Sequence, residues 1–225
     1  MAGDETKILV EAISAARFQP YVDDCEGDQA AALRLYAWDG EISRAFQGSL
    51  RDLEVSLRNR LHRQLVGRYG REDWWNSPRV RLSYASEDQV RSAEESLHGR
   101  YGDDFGPDDM VAKLMFGFWV GLLGRSHNYE FQFWSPALRH CFRGYTGRRA
   151  PLQERFETVR LLRNRIAHHE RICHRRRLDE DFRAVVTLMS YLSPEMAALH
   201  DKYSQVPQVL ARRARVLSGE EEIRL

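Results

Sequence analysis

Residues 161–170 read LLRNRIAHHE and place arginine, asparagine and histidine among leucine and isoleucine. In a helix, Asn164 and His168 are four residues apart, so their side chains lie one above the other, close to Arg163. An imidazole has a reference pKa of about 6.5 and can transfer a proton near neutral pH. A guanidinium neutralises the charge that grows on a phosphorane. Arg163, Asn164 and His168 are therefore candidate catalytic residues for phosphodiester cleavage.

Arg163 also falls within the apolar stripe that its helix is expected to bury. At about 100 degrees per residue, the stripe runs through Leu152, Phe156, Val159 and Ile166. A buried arginine is costly unless a carboxylate, a phosphate or a partner chain meets it. We therefore expect Arg163 to have such a partner.

A similar string, LRNRLH at residues 57–62, occurs earlier in the chain. Glu54, Arg58 and His62 follow one another at four-residue intervals, and Asn59 is adjacent. One interpretation is an intrahelical ion pair on a core helix. The other is that this row lines the reaction site or braces the arginine of the first string. Glu54 is then the carboxylate that meets that arginine.

The histidine-rich continuation HHERICH, residues 168–174, leaves other interpretations open. His169 and Glu170 are secondary candidates for the same reaction. Cys173 follows His169, and His174 follows Glu170, at four-residue spacing, so these side chains could instead hold a metal ion. However, cysteine replaces the second histidine of the HExxH motif, and no third ligand is evident. We expect no metal and no other cofactor. A nucleophilic Cys173 has no base beyond these histidines, and purely structural roles for the arginine and histidine also stay open.

Arginine dominates the charge around this motif, although the chain has a formal net charge of only +1. Residues 139–177 contain twelve arginines, no lysine and three glutamates. The planar guanidinium can hold phosphate oxygens through two hydrogen bonds and can stack on bases. A solvated cationic helix face is the alternative interpretation. The predicted RNA-binding residues are Arg160, Arg165, Arg171, Arg175 and Arg176.

Periodic apolar residues predict helices along the chain and almost no strand, hence an all-α fold. A short helix over residues 28–38 should precede a break at Gly40, after which Asp39 caps a long helix that ends near Gly67 or Gly70. The buried stripe of this long helix is Ile42, Phe46, Leu50, Leu53, Leu57, Leu61 and Leu65.

Apolar residues at helical spacing, together with capping serines and prolines at helix starts, predict further helices. They cover residues 86–101, 110–124, 136–142, 151–173, 178–192 and 194–203. Residues 110–124 (MVAKLMFGFWVGLLG) should form the central buried helix. The tail, residues 212–225, alternates charges without a stripe, so we expect a solvated helix or a frayed end.

Arg163, Asn164 and His168 resemble the RxxxxH motif of HEPN ribonucleases. The string LRNRIAHHERI resembles the C-terminal signature of Abi-like (AbiD/AbiF type) proteins of bacterial phage defence. Other segments resemble landmarks of that family in the family order. They are ALRLYAWDGEISRAF, LEVSLRNRLH, KLMFGFWVGLL and WSPALRHCF, and the resemblance covers roughly residues 28–210.

The resemblance implies one HEPN-like helical bundle with additional packed helices over residues 1–225, in which residues 1–27 and 212–225 are peripheral. It implies a metal-independent endoribonuclease of abortive infection or toxin type. Arg163 would contact the phosphate, Asn164 would position it, and His168 would transfer protons during attack by the ribose 2'-hydroxyl. His169 is the next candidate, because the superfamily allows four to six residues between arginine and histidine.

The same resemblance implies a homodimer in which two motif helices face each other around one cleft. Leucines beside the arginine would then pack across the symmetry axis. Leu162 is either one of these leucines or an internal residue of the helix. An antitoxin or regulatory partner fits this class of protein. The alternative is a catalytically silent RNA-binding or protein-interaction module of the same family.

Length and composition predict a cytoplasmic protein. With 225 residues, 43% of them hydrophobic, the chain can bury one substantial core. Its apolar runs are far shorter than the roughly 20 residues that cross a bilayer, and the start MAGDETKILV lacks a positively charged leader. The three cysteines form no CxxC pair, so we expect reduced thiols.

Overall fold

The computed structural model describes residues 2–223, and the side chains of all of these except residues 2–6 and 127. Within that range the chain forms ten α-helices and no strand, which confirms the predicted all-α class. The helices are α1 (Ala2–Ile13), α2 (Ala15–Asp24), α3 (Gln29–Tyr69), α4 (Tyr84–Tyr101), α5 (Pro107–Lys113), α6 (Phe116–Gly121), α7 (Arg149–Ala167), α8 (Leu178–Leu192), α9 (Pro194–Tyr203) and α10 (Val206–Ser218). None of the described helices combines the length and apolar composition that crossing a bilayer requires.

Helix α3 is one uninterrupted helix of 41 residues, so the predicted break at Gly40 is wrong. Every residue of the predicted stripe from Ile42 to Leu65 is buried, and the stripe continues backwards through Trp38 and Leu35. A helical glycine costs about 1 kcal/mol relative to alanine. Burying one large apolar side chain contributes about 1.5–3 kcal/mol, so packing outweighs the glycine.

The predicted central helix over residues 110–124 is also wrong, because it divides into α5 and α6. Leu114 and Met115 both adopt extended backbone angles. The indole Nε1 of Trp119 donates to the carbonyl of Leu114 at 3.2 Å. This hydrogen bond replaces the backbone amide with which the carbonyl would pair in a continuous helix. The segment is nevertheless buried as predicted, since Phe118 and Trp119 are fully enclosed.

Other boundaries differ from the predictions by smaller amounts. Helix α4 begins before Ser86, because the hydroxyl of Ser83 accepts from the amide of Ser86 at 3.2 Å and caps the helix. In place of a helix over residues 136–142 there is a π-helical turn, Glu130–Trp134, followed by a short 3-10 helix, Leu138–Cys141. Helices α8 and α9 have the predicted bounds.

The chain divides into two compact units. The first comprises Met1–Gly48, Arg165–Phe182 and Tyr203–Leu225, and the second comprises Ser49–Asn164 and Arg183–Lys202.

In the first unit, α10 packs against the N-terminal half of α3. The indole of Trp38 is fully buried and donates to the carbonyl of Val209 at 3.1 Å. Arg212 is buried and forms two hydrogen bonds with the carboxylate of Glu41, at 2.7 and 2.8 Å. Residues 212–218 are helical and mostly exposed, as the prediction of a solvated helix expected. Arg212 and Val216 are buried, however, so this helix has a packed face that the sequence analysis did not predict. Residues 224 and 225 lie outside the described part of the chain.

In the second unit, an aromatic cluster forms the centre of the core. The ring of Trp74 lies 5.5 Å from Trp75, 6.2 Å from Phe118, 6.4 Å from Trp119 and 6.0 Å from Phe133, measured between centroids. Aromatic rings at such separations stabilise a core beyond their apolar burial.

The buried pair of Arg212 and Glu41 yields a prediction for stability. Arg212→Ala leaves a buried carboxylate without its main partner, so the free energy of unfolding should fall by about 3–5 kcal/mol. The double variant Glu41→Leu/Arg212→Leu should lose much less, because no buried charge remains. Urea unfolding of the two variants and the native protein measures this, and an equal loss in both variants would contradict it.

Candidate functional site

The predicted catalytic helix ends earlier than expected. Helix α7 stops at Ala167, where the prediction continued to Cys173. The amide of His169 donates to the carbonyl of Ile166 at 3.1 Å, and the amide of Glu170 donates to that of Arg165 at 2.8 Å. These two bonds form a Schellman motif, with His169 in the left-handed position at φ 56°. His168 therefore lies just beyond the last residue of the helix, so the predicted continuation of the helix through His168 to Cys173 is wrong.

The segment after this turn is held by a buried carboxylate. Asp39 lies inside α3, so its predicted role as a helix cap is wrong. Its Oδ1 accepts from the amides of Ile172 and Cys173 at 2.9 and 2.7 Å, and its Oδ2 accepts from the hydroxyl of Tyr21 at 2.8 Å. Burial, followed by the charge of Asp39, raises the pKa of the Tyr21 hydroxyl far above its usual value. We call this arrangement the Asp39 clamp.

Two arginines fix the same turn from other sides. Arg17 donates a hydrogen bond to the carbonyl of His169. Arg171 pairs with Asp24, and its guanidinium lies 5.2 Å from the ring centroid of Tyr21. The side chains of residues 168–170 nevertheless stay exposed. The imidazole of His168 has no hydrogen-bond partner among the described residues, which leaves both ring nitrogens open to a substrate.

A groove with a volume of about 670 Å³ adjoins this turn within the first unit. One wall is a continuous face of α3 formed by Leu33, Tyr36, Ala37, Gly40, Ser43, Arg44 and Gln47. The other lining residues are Leu9, Ala12, Ile13, Arg17, Tyr21, Asp39, Ile166, His169 and Glu170. The sequence interpretation missed this groove. The available signal was the face of α3 itself, which mixes small and polar residues at helical spacing opposite the core stripe.

Arg163 and Asn164 belong to the second unit. Nε of Arg163 donates to the carboxylate of Glu54 at 3.2 Å, so the predicted contact with Glu54 is confirmed. The side chain of Arg163 is 33% exposed and that of Glu54 is 16% exposed. Arg163 is therefore less buried than its place on the stripe predicted. Asn164 is half-buried.

The row that includes Glu54 does not form the predicted intrahelical ion pair, since this carboxylate meets Arg163. Arg58 instead donates to the carbonyl of Ala112 at 3.5 Å. His62 accepts from the indole of Trp74 at its Nδ1, 3.2 Å away, and burial lowers the pKa of its imidazole. Asn59 is exposed. His62 is thus a neutral packing residue next to the aromatic core.

Four of the five predicted RNA-binding arginines have carboxylate partners in the structure. The pairs are Arg160–Glu157 at 2.5 Å, Arg165–Glu170 at 3.8 Å, Arg175–Asp181 at 2.8 Å, and Arg171–Asp24. Arg176 is exposed. The surface available for phosphate is therefore less positive than the count of arginines predicts.

The alternative chemistry at HHERICH finds little support in the geometry. No group of three histidine, cysteine or acidic side chains in the described part of the chain could hold a metal ion. The thiol of Cys173 is buried, and burial together with the charge of Asp39 raises its pKa to about 12. A thiol with that pKa is not a thiolate at neutral pH and is a poor nucleophile.

The second unit also contains a serine, a histidine and an aspartate in a row. The hydroxyl of Ser49 lies 3.1 Å from Nδ1 of His200, whose Nε2 lies 2.9 Å from Asp52. His200 is 151 residues from Ser49 and 148 residues from Asp52 in sequence, so spacing could not predict these contacts. Ser49 is only 1% exposed, which keeps a substrate carbonyl away from its oxygen. The row is a part-buried hydrogen-bond network that joins α3 to α9.

The left-handed conformation of His169 yields a second prediction. A residue with a Cβ at this φ costs roughly 1–2 kcal/mol, and glycine removes that cost. His169→Gly should therefore raise the free energy of unfolding by about 1 kcal/mol. The same change at His168, whose φ is not positive, should lower it by roughly 0.5–1 kcal/mol. Thermal unfolding of both variants tests this, and destabilisation by His169→Gly would contradict the turn geometry.

Comparison of the chain with protein-family models, curated proteins and solved structures gives no match. The resemblance to Abi-like proteins therefore stays a prediction that depends on the quoted sequence segments.

Proposed function

We propose that this protein is a metal-independent endoribonuclease of the Abi-like, HEPN type, which acts in the cytoplasm as an effector of phage defence or growth arrest. The observation that carries the proposal is the imidazole of His168, which is exposed, has no hydrogen-bond partner in the described part of the chain, and follows directly on α7 in an RxxxxH string. Its backbone neighbours are fixed by the Schellman turn, by Arg17 and by the Asp39 clamp. A fixed backbone with an accessible side chain suits a general acid or base.

The proposed reaction starts with the ribose 2'-hydroxyl. His168 accepts the proton of that hydroxyl while its oxygen attacks the adjacent phosphorus. The bond from phosphorus to the 5'-oxygen breaks, this oxygen takes up a proton from solvent water, and His168 releases the proton that it accepted to solvent. The products are a 2',3'-cyclic phosphate and a 5'-hydroxyl, and the proposed reaction requires no metal ion. His169 and Glu170 are the secondary candidates for proton transfer.

Arg163 and Asn164 take the phosphate in this proposal. The guanidinium of Arg163 neutralises charge on the phosphorane, and Asn164 orients the phosphate. Within the described part of the chain, Nε is the nitrogen of the Arg163 guanidinium that donates to the carboxylate of Glu54. The terminal nitrogens of the same guanidinium are then the groups that would donate to phosphate oxygens.

A homodimer and a regulatory or antitoxin partner belong to the same proposal. For Leu162 the sequence left two places open, a dimer contact or the interior of the protein, and its side chain is 1% exposed, so it is an internal residue. Its neighbour Leu161 is 51% exposed and is the apolar residue that α7 offers to a second chain. Leu161→Glu, rather than Leu162→Glu, is the substitution that should separate a dimer without disturbing the core.

The second candidate function is a catalytically silent module that binds RNA or protein. It is favoured by one specific observation, namely that Arg160, Arg171 and Arg175 all pair with carboxylates, as Arg163 does with Glu54. Arginines in such pairs stabilise the fold and do not by themselves indicate turnover. Only cleavage distinguishes the two candidates.

The third prediction is that purified native protein cleaves single-stranded RNA in the presence of chelator. His168→Ala should lower the cleavage rate by about 100-fold or more, which is the usual contribution of general acid–base catalysis. Arg163→Ala should lower it by a similar factor through loss of phosphate charge neutralisation. His140→Ala, an exposed histidine outside the string, is the matched control and should cleave at the native rate.

Mapping of RNA ends gives the direct readout, and the melting temperature of each variant checks that the fold survives. Unchanged cleavage by His168→Ala and by the His168→Ala/His169→Ala double variant would remove the catalytic assignment. Strict dependence on added magnesium or zinc would contradict the metal-independent reaction.

A further inference from the structure

Two stretches of the chain that contain no aspartate or glutamate meet in the second unit. The first is residues 55–71, most of which belong to α3, and the second is residues 131–153, which include the start of α7. The thiol of Cys141 donates to the carbonyl of Arg60 at 3.6 Å and joins the two stretches. Burial raises the pKa of that thiol to about 12, and the charges of Arg60 and Arg63 oppose this shift. Both guanidinium groups therefore lie close to the thiol.

The arginines around this contact lack the carboxylate partners that other arginines of the chain have. Within the described part of the chain, none of the four that surround Cys141 forms an ion pair. Three of them are exposed and one is half-buried. We call this surface the basic face, and its residues are Arg60, Arg63, Arg139 and Arg143.

The polar contacts of the basic face are made to groups other than carboxylates. Nε of Arg63 donates to the carbonyl of Asn59 at 3.2 Å, and Nε of Arg139 donates to the imidazole of His140 at 3.3 Å. Nε of Arg60 is buried and has no hydrogen-bond partner in the described part of the chain. The terminal nitrogens of these guanidinium groups therefore stay available to an anion.

Glu195 on α9 is an acidic residue whose charge reaches the basic face, but it is held by other groups. The pKa of its carboxyl is lowered first by a hydrogen bond from its own amide, then by one from the hydroxyl of Ser193, and least by Arg143. The hydroxyl of Ser193 lies 2.9 Å from the carboxylate. Glu195 thus leaves most of the positive charge on Arg143 uncompensated.

The loop that carries Arg143 has a fixed backbone. The amide of Arg143 donates to the carbonyl of Tyr191 at 2.7 Å, and Gly144 follows in the left-handed region at φ 73°. The ring of Tyr145 then packs on that of Tyr191, with centroids 5.2 Å apart. Because the backbone is already ordered, binding an anion restricts only the arginine side chain, which lowers the entropic cost of binding.

The basic face is separate from the predicted phosphate contact of Arg163. Glu54, which pairs with Arg163, shares one flank of α3 with Arg58, four residues further on. Arg60 follows Arg58 by two residues, which is about 200 degrees around a helix. The basic face therefore lies on the other flank of α3 and does not replace Arg163 at the scissile phosphate.

We propose that the basic face binds the phosphodiester backbone of an RNA strand at nucleotides away from the scissile bond. The inference rests on the proposed RNA-cleaving function, which needs unpaired cations, whereas most of the arginines predicted to bind RNA form ion pairs. A guanidinium can hold two oxygens of one phosphate. Phosphates recur at every nucleotide, so arginines on two elements can contact successive phosphates of any sequence. An acidic protein segment would need carboxylates at matching positions.

Substitutions that remove charge test the basic face. Arg63→Gln/Arg143→Gln removes one cation from each of the two acid-free stretches. Both side chains are exposed, so the melting temperature should stay near that of the native protein. The matched control is Arg91→Gln/Arg100→Gln, which removes two exposed arginines from α4 of the same unit. The two double variants have the same net charge.

Binding is measured by fluorescence anisotropy over a series of salt concentrations. The probe is a labelled oligonucleotide with 2'-O-methyl riboses, which cannot be cleaved. Each phosphate contact to a single strand contributes about 0.7 to the slope of log Kd against log salt concentration. The basic-face variant should therefore reduce this slope by about 1.4 and weaken binding about 25-fold at about 0.1 M salt. The control variant should keep the native slope and Kd.

The outcomes separate this inference from the proposed function. If the basic-face variant keeps the native slope and Kd, the inference is refuted, whether or not the native protein cleaves RNA. If the variant loses binding while the native protein never cleaves RNA, the basic face stands and the ribonuclease proposal fails. Tighter binding of the native protein to polyglutamate or to a DNA oligonucleotide of equal charge than to RNA would assign the face to an acidic protein or to DNA, and would overturn the inference.

Discussion

The carboxylate of Asp39 is the interaction on which the proposed site depends. An ionised carboxylate in the core is costly unless hydrogen bonds compensate the lost hydration. Asp39 obtains three of them, from Tyr21 and from the amides of Ile172 and Cys173. Two of these donors belong to a segment without regular secondary structure, whose amides would otherwise be buried without partners. The clamp therefore stabilises the charge and fixes the path of the chain after α7.

The position of the candidate histidines follows from that path. Once residues 172 and 173 are fixed on α3, the short stretch between them and the end of α7 can close only as a tight turn. The Schellman bonds and the left-handed φ of His169 are the result. One wall of the groove is completed by the same turn. A single buried carboxylate thus links the catalytic candidates to the groove beside them.

The sequence predicted those parts of the fold that depend on periodicity. The stripe from Ile42 to Leu65 is buried because apolar spacing of three and four residues suits only one face of a helix. The contact of Arg163 with Glu54 was also predictable, since an arginine near a buried stripe requires a carboxylate. The end of α7 was not predictable, because its C-terminal turn uses histidine where the usual signal is glycine. The break at Gly40 was predicted wrongly, because the packing of Trp38 and Ile42 outweighs one glycine.

Contacts between distant residues account for most of what the sequence did not predict. The arginines were interpreted as a free cationic surface, yet Arg171 meets Asp24, and Arg175 meets Asp181. The number of charged residues in a sequence does not show which of them form ion pairs. The groove was overlooked for a related reason, since a helix face that mixes small, polar and aromatic residues matches neither a core stripe nor a solvated surface. Such a face becomes informative only when a second element encloses it.

Amide hydrogen exchange tests the central claim most directly, namely that Asp39 holds the segment after α7. In the native protein the amides of Ile172 and Cys173 should exchange slowly, although they belong to no helix. In Asp39→Ala these two amides and that of His169 should exchange far faster, while amides in the middle of α7 and in the α9 helix keep their native rates. Fast exchange at Ile172 and Cys173 in the native protein, or unchanged slow exchange in folded Asp39→Ala, would contradict the account.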